Sequence, residues 1–194
     1  TNTLLIALAI AGFGCCMAMA MPQVHIVAYC ADLGYGAARG AEMLSLMLAL
    51  GIFSRIGSGF LADRIGGLSV LMIGSFMQAA ALFLFLWFDG LTSLYIISAI
   101  FGLFQGGIVP MYALVAREYL PPDQAGGKIG IVITATILGM AVGGVASGWI
   151  FDYFLSYRMA FLNGLLWNGV NLLIVGWLLL RRRDAGGQPV AQTA

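Results

Sequence analysis

A single arginine lies within a stretch of sequence that is otherwise suited to lipid. Arg55 is the only charged residue among positions 43 to 62. An arginine at the centre of a membrane helix costs about 2.5–3.5 kcal/mol on insertion scales, so such a residue faces a partner or a water-filled cavity. Its planar guanidinium can hold a carboxylate through two parallel hydrogen bonds. The sequence therefore predicts an anion-binding residue or, alternatively, a structural ion pair.

The ion-pair alternative depends on where the acidic residues lie. Every aspartate and glutamate of this sequence falls at the end of an apolar segment or in a loop. An acidic partner for Arg55 must therefore come from outside this chain. For the same reason, a proton-coupled mechanism would use either an acid outside the chain or the single histidine, His25.

Four further polar side chains in apolar segments are candidate substrate contacts. His25 and Tyr29 lie in the first segment, and an imidazole can also carry a proton. Gln105 and Tyr112 lie seven residues apart in the fourth segment, a spacing that keeps two side chains on one helix face. Pro110, between them, is expected to interrupt backbone pairing locally. Each candidate has a structural alternative: His25 as a hydrogen-bonding group of the fold, and Gln105 and Tyr112 as links between helices.

The composition indicates that these residues belong to a membrane protein. Hydrophobic residues make up 61% of the chain and charged residues 9%, against roughly 25% charged in a soluble domain. A net charge of +1 without a basic cluster on one face argues against a nucleic-acid partner. Apolar runs of about 20 residues can cross the hydrocarbon core as helices. We expect an all-α membrane protein with six transmembrane helices in residues 1–183, followed by a disordered cytoplasmic tail at 184–194. The predicted helices lie near 3–30, 41–62, 68–88, 92–119, 126–151 and 159–180.

The distribution of basic residues predicts the orientation. The turns after the second and fourth helices and the C-terminal end carry six: Arg64, Arg117, Lys128, Arg181, Arg182 and Arg183. The turns after the first, third and fifth helices carry two: Arg39 and Arg158. Because cytoplasmic loops are enriched in Lys and Arg, we expect both chain ends in the cytoplasm and a multi-pass location in the plasma (inner) membrane.

The sequence contains no group of residues typical of an enzyme active site. Its three cysteines, Cys15, Cys16 and Cys30, all fall in the first apolar segment and have no metal-ligand spacing. We assign them to helix packing. A nucleophile–base constellation, a metal cluster and a phosphate-binding loop are all missing, so the sequence predicts no enzymatic activity, no metal and no cofactor.

An internal repeat indicates the architecture. "SGFLAD" at 58–63 reappears as "SGWIFD" at 147–152, an offset of 89 residues. The two copies end the second and fifth predicted helices, which are equivalent positions if the six helices form two triplets. Because three is odd, the triplets run in opposite directions across the membrane. Inverted three-helix repeats of this kind build each half of a major facilitator transporter.

Two sequence stretches resemble that superfamily. "GFLADRIGG" (59–67) is similar to its loop signature at Gly59, Asp63, Arg64 and Gly66, although Gly67 stands where a basic residue is expected. "VHIVAYCADLGYG" (24–36) followed by "SRIGSGFLADR" (54–64) resembles the monocarboxylate-transporter and oxalate–formate-antiporter branches. The resemblance implies the C-terminal half of a twelve-helix transporter that pairs with an N-terminal six-helix half in the lipid bilayer.

The resemblance also implies roles for individual residues. In these branches an arginine of this helix binds the substrate carboxylate, which assigns Arg55 to substrate and the loop signature to gating. The sixth helix lies outside the cavity of such a half, so Asn163, Asn168 and Asn171 are assigned to packing. Small residues at GxxxG spacing favour close helix contact. Four glycines of the fifth helix have this spacing: Gly139, Gly143, Gly144 and Gly148.

The leading hypothesis is a secondary transporter, symporter or antiporter, that moves small organic anions by alternating access. The anions would be monocarboxylates or oxalate- and formate-like acids, with a proton as one candidate for coupling. One alternative is an exporter of drugs or other solutes in which Arg55 forms a structural ion pair. A second is a non-transporting membrane sensor or assembly subunit.

Overall fold

The computed structural model describes residues 2–119 and 125–184, and all regular structure in those residues is α-helical. The helices are α1 (Asn2–Asp32), α2 (Ala37–Ile65), α3 (Gly67–Trp87), α4 (Leu91–Gln105), α5 (Ile108–Tyr119), α6 (Ala125–Phe154) and α7 (Tyr157–Asp184). They provide six spans that are long and apolar enough to cross a membrane, with α4 and α5 together forming the fourth. The predicted all-α fold is confirmed.

The observed helices differ from the predicted ones in two respects. Most extend two to four residues beyond the expected bounds, and α7 continues to Asp184, where the tail was expected to begin. The rest of that predicted tail, 185–194, lies outside the described residues. The fourth span is not the single helix expected at 92–119, because it is interrupted between Gln105 and Ile108. This helix break is central to the site described below.

The helix contacts follow the symmetry of an inverted repeat. The first span, α1, packs on α6, α7 and α2, while the fourth span, α4 with α5, packs on α2, α3 and α6. Exchanging the first span with the fourth, the second with the fifth and the third with the sixth converts each set of contacts into the other. The α3–α7 contact is converted into itself. The architecture is therefore that of two inverted three-helix repeats.

The repeat relates the contact of α1 with α6 to the contact of α2 with α4, and these two contacts are called the seams below. Glycines allow close packing in both. A Cβ added at Gly143 of α6 would lie 2.7 Å from the carbonyl oxygen of Met17. A Cβ added at Gly102 of α4 would lie 2.5 Å from the carbonyl oxygen of Met47. Lipid tails are as apolar as leucine side chains, so helices in membranes associate through close packing of this kind. The glycines allow the two backbones of each seam to touch.

A polar network lies in the interior, between α3, α5 and α7. The hydroxyl of Tyr112 donates to Oδ1 of Asn171, and Nδ2 of Asn171 donates to Oγ of Ser75 at 2.8 Å. Nδ2 of Asn168 donates to the carbonyl oxygen of Ser75 at 2.9 Å. All four residues are 0% exposed. This set of Ser75, Tyr112, Asn168 and Asn171, called the buried network below, joins one helix of the first repeat to two elements of the second.

Aromatic rings and arginines meet near both ends of the bundle. The guanidinium of Arg181 lies 4.5 Å from the ring centroid of Trp177, and that of Arg158 lies 5.8 Å from the ring centroid of Trp87. Amphipathic rings and basic residues are typical of the two membrane–water interfaces. These contacts lie near the ends of the spans, as expected at a membrane–water interface.

Candidate functional site

The helix break in the fourth span exposes backbone groups that α2 satisfies. Gly106 and Gly107, which separate α4 from α5, are both buried. Such a break is tolerated at membrane depth only where the freed backbone groups find partners. Oγ of Ser54 accepts a hydrogen bond from the N–H of Gly107 at 3.0 Å. Nε of Arg55 donates to the carbonyl oxygen of Gly106 at 3.3 Å. Two consecutive residues of α2 therefore satisfy the peptide group between Gly106 and Gly107.

The Arg55 guanidinium has donors left after this contact. A guanidinium carries five N–H groups, and the contact with Gly106 uses the one on Nε. Within residues 2–119 and 125–184, its terminal nitrogens have no hydrogen-bond acceptor and no acidic side chain as a partner. The ion pair found in this part of the chain joins Arg39 to Glu42 at 3.0 Å, near the start of α2. The side chain of Arg55 is exposed. It therefore presents four N–H groups to whatever occupies that side of α2.

Arg55 does not line the groove between α2 and α3. Phe53, Gly57 and Leu61 line this small groove together with residues of α3 and α4, and Arg55 is not among its lining residues.

Gln105 lies next to this region. It is the last residue of α4, is 5% exposed, and has its side-chain amide against α2. A Cβ added at Gly51 would lie 3.8 Å from Nε2 of Gln105, and Gly51 precedes Arg55 by one helical turn. Arg55 and Gln105 are thus the predicted site residues that the fold brings closest to the break.

Tyr112 lies elsewhere, and the expected common face with Gln105 is wrong. The break falls between the two residues, so their spacing of seven no longer follows one continuous helix. Tyr112 is fully buried, packs near Gly12 of α1, and donates its hydroxyl to Asn171. Its position corresponds to the interhelical alternative rather than to an open cavity wall.

Pro110 has the expected local effect on backbone pairing. In a continuous helix the carbonyl oxygen of Gly106 would accept from the N–H four residues later, and Pro110 has no N–H. Pro110 lies in the first turn of α5, just after the glycine pair. The carbonyl oxygen of Gly106 is therefore available to Arg55.

His25 and Tyr29 lie farther along α1, against α6 and α7. Nε2 of His25 lies 2.9 Å from the carbonyl oxygen of Gly144, and because a carbonyl only accepts, this nitrogen donates. The ring of Tyr29 lies 4.9 Å from that of Tyr157 and 5.6 Å from that of Phe161. Both side chains therefore make contacts within the fold, and the structure does not bring them to the break.

The residues of the loop signature lie at the end of α2. Asp63 and Arg64 are exposed, and Gly59 is half-buried. Gly66 is the single residue between α2 and α3, and its φ of 85° is a conformation that L side chains rarely adopt. Its N–H donates to the carbonyl oxygen of Ala62 at 2.8 Å and so ends the helix. The glycine of this motif is explained by that tight turn.

All four glycines of the GxxxG spacings contact α1. Gly139 and Gly143 lie against its backbone, and Gly144 and Gly148 lie against side chains of Val24 and His25. The GxxxG face of α6 is thus the α1 contact surface.

Ser54 and the glycine pair were not identified as site residues from the sequence. A serine is common in membrane helices and carries no charge to draw attention. The usable signal was the pair Gly106–Gly107 three residues before Pro110, which together indicate an interrupted helix. A group of His, Cys, Asp and Glu that could hold a metal is absent from the part of the chain described.

Sequence comparison identifies relatives along most of the chain. The profile of the Major Facilitator Superfamily matches residues 6–194. Monocarboxylate transporter 13 of Rattus norvegicus is 27% identical over 143 residues, which are 73% of this chain and 33% of the relative. The multidrug export protein EmrB of Haemophilus influenzae is 22% identical over 182 residues, 94% of this chain and 35% of the relative. The chain thus spans about a third of the length of these curated relatives.

Structure comparison agrees at the level of the fold. A crystal structure of the peptide transporter POT in complex with alafosfalin superimposes with a TM-score of 0.81 at 19% identity. The superposition covers 96% of this chain and 40% of that one. The six-helix arrangement therefore matches part of a larger transporter fold.

Proposed function

The chain belongs to the Major Facilitator Superfamily, and on that premise we propose that it forms part of a secondary transporter of small organic anions in which Arg55 binds the substrate carboxylate. Membership of this superfamily makes it a membrane transport protein and not an enzyme. The transport cycle would be alternating access, with the cavity between this six-helix unit and an N-terminal six-helix half.

The observation that carries the proposal is the state of the Arg55 guanidinium. It is anchored through Nε to the carbonyl oxygen of Gly106, and its remaining donors have no partner among the described residues. Keeping a positive charge at this depth without an acid is costly unless water or a ligand solvates it. A carboxylate fits the planar pair of terminal amino groups through two charge-assisted hydrogen bonds.

The names of the relatives support a carboxylate and also keep the alternative open. The rat relative is named for monocarboxylates, whereas the Haemophilus relative is named for multidrug export. In an exporter of uncharged or cationic solutes, Arg55 would pair with an acid of the other half. Among the described residues no acidic side chain is paired with Arg55. The two hypotheses therefore predict different results for the Arg55 substitutions described below.

The other candidate residues differ in how directly they would contact the substrate. Gln105 is the polar neighbour that best extends the binding site beyond Arg55, because it lies at the break. His25 and Tyr29 would contact substrate only in a state that opens the outer part of α1. Tyr112 would act through packing, because it is fully buried.

We also propose a plasma-membrane location with both chain ends on the cytoplasmic side, as the charge asymmetry predicts. The loop with Gly59, Asp63, Arg64 and Gly66 would then face the cytoplasm and act in gating. Single cysteines placed near Gly66 and near Ala125 should react only with reagents that enter the cell. Labelling of both by an impermeant maleimide from outside intact cells would contradict this orientation.

The experiment that tests the anion site uses the full-length transporter and two substitutions of Arg55. Binding of lactate, oxalate and glucuronate is measured together with thermal unfolding. We expect Arg55→Gln to lose at least 100-fold in affinity for the anion bound, while the unfolding temperature is maintained or rises, because an intramembrane charge is removed. Arg55→Lys keeps the charge but loses the paired donors, so we expect binding about 10- to 100-fold weaker.

The control is Arg158→Gln, which removes one positive charge at an end of the bundle, away from the break, and should leave affinity unchanged. Undiminished anion affinity in a well-folded Arg55→Gln protein, or no binding of any of the three anions to the unmodified protein, would refute the proposed function. The ion-pair alternative predicts instead that Arg55→Gln is destabilised and that neutralising an acid of the other half restores it.

A further inference from the structure

We propose that Ser54 is a positioning residue for substrate recognition and acts through the peptide group between Gly106 and Gly107. The two hydrogen bonds at the break end on the same peptide group. Ser54 accepts from its N–H at 3.0 Å, and Arg55 donates to its C=O at 3.3 Å. This inference rests on the proposed function, because it explains how Arg55 is oriented for a carboxylate.

The geometry of a peptide group links the two contacts. A trans peptide is planar and rigid, so its N–H and C=O cannot be turned independently. The hydroxyl of Ser54 fixes the direction of the N–H and thereby fixes the direction of the C=O that holds Arg55. Ser54 itself is 8% exposed, so water is largely excluded from competing for this hydrogen bond.

The glycines make this arrangement possible. A Cβ on Gly107 would collide with the side chain of Ser58, its Cβ lying at 2.6 Å. Gly106 lies against the backbone of Gly51, one turn before Arg55. The break therefore reaches α2 closely enough for short side-chain contacts, and neither glycine can gain a side chain without separating the two elements.

The consequence is a defined binding edge on Arg55. A guanidinium can hold a carboxylate through Nε and one terminal nitrogen, or through both terminal nitrogens. The peptide group already occupies the Nε–H. The free edge is therefore the one formed by the two terminal nitrogens, and the substrate carboxylate would approach end-on, in line with the Arg55 side chain.

The test replaces Ser54 and leaves Arg55 in place. In Ser54→Ala the peptide N–H loses its acceptor, the peptide group can turn, and we expect anion affinity to fall about 10-fold. Ser54→Thr keeps a hydroxyl and should bind within about twofold of the unmodified protein. Ser54→Cys fills the same space with a weak acceptor and should fall between the two. It provides a folded comparison should the alanine variant prove unstable.

The matched control is Ser58→Ala. Ser58 lies one turn farther along α2, and its hydroxyl donates within its own helix to the carbonyl oxygen of Arg55 at 3.0 Å. It accepts nothing from the break, so its removal should leave affinity unchanged within about twofold. A loss shared equally by Ser54→Ala and Ser58→Ala would overturn the proposal.

A double-mutant cycle separates positioning from general damage. If Ser54 acts through the paired donors of Arg55, Ser54→Ala should cost little further affinity in the Arg55→Lys background. Full additivity there, or wild-type affinity of Ser54→Ala, would overturn the positioning role while leaving Arg55 as anion ligand. Wild-type affinity of Arg55→Gln would instead overturn the anion site itself.

Discussion

Two polar regions lie inside this bundle, and they differ in how completely their hydrogen-bonding groups are paired. In the buried network, Tyr112, Asn171 and Ser75 pair with one another and are fully excluded from the surface. At the helix break, the peptide group is satisfied by Ser54 and Arg55, but Arg55 is exposed and its terminal nitrogens have no partner among residues 2–119 and 125–184.

The difference separates the packed interior of the fold from the proposed recognition site. A polar group in an apolar medium costs free energy unless it is paired, so a closed set of partners stabilises the fold and has nothing left for a ligand. An exposed charged group with unused donors can instead be solvated by water or by a ligand. Variants in the two regions should therefore change different measured quantities: thermal stability for the buried network, and anion affinity for the break.

The largest stability effect is expected from Asn171→Leu. This change removes the amide that joins Tyr112 to Ser75 and leaves both buried hydroxyls without that partner. We expect a loss of about 2–3 kcal/mol in the free energy of unfolding, because buried groups left unpaired cost about 1–3 kcal/mol. Anion affinity should stay within about twofold of the unmodified protein. Thermal unfolding and equilibrium binding on the full-length transporter check both statements.

Asn163→Leu is the matched control for that variant. Asn163 is also on α7, but its Nδ2 is buried without a hydrogen-bond partner in the described part of the chain. Its removal should be neutral or slightly stabilising. If Asn163→Leu destabilised as much as Asn171→Leu, or if Asn171→Leu abolished anion binding in a folded protein, the division between the two regions would be wrong.

A smaller effect is expected from Gly102→Ala, which tests the α2–α4 seam beside the break. The added Cβ would lie 2.5 Å from the Met47 carbonyl oxygen, so α2 must move away from α4. Overpacking of this kind costs about 1–2 kcal/mol. Because the same seam places Ser54 against the break, anion affinity should also fall, by about threefold to tenfold. Gly102→Ala should thus combine both phenotypes in one variant.

The control for the seam is Gly169→Ala on α7, where an added Cβ meets no atom within 4 Å. Alanine is the better helix former, so stability should be unchanged or should rise by up to about 1 kcal/mol. Equal losses for the two glycine variants would show that contact between α2 and α4 does not determine the result.

The sequence was sufficient for the spans and their repeat because these depend on length, apolarity and punctuation along the chain. Arg55 could be identified because it is the one charged residue among positions 43 to 62. The partners of these residues could not be predicted in the same way. Tyr112 was placed beside Gln105 on an unbroken helix, and the break between them turned it toward Asn171.

The role of Ser54 also could not be predicted from the sequence, for a related reason. Its hydroxyl matters because a peptide group 53 residues later lacks a partner, and nothing local to Ser54 records that requirement. Interactions between distant segments depend on the register in which two helices meet. The glycine contacts of the α2–α4 seam set that register. The sequence shows these glycines but does not show which residues they contact.

The buried network has a consequence for how this chain can evolve. Tyr112, Asn171, Asn168 and Ser75 form a closed set, so a change at one position creates an unpaired group at another. Substitutions there should be strongly epistatic. Asn171 also donates to Oδ1 of Asn168 at 3.1 Å, so Asn171 is replaced at low cost only after Tyr112, Ser75 and Asn168 have all become apolar. Among diverging homologues these positions are therefore expected to change together, as a linked group.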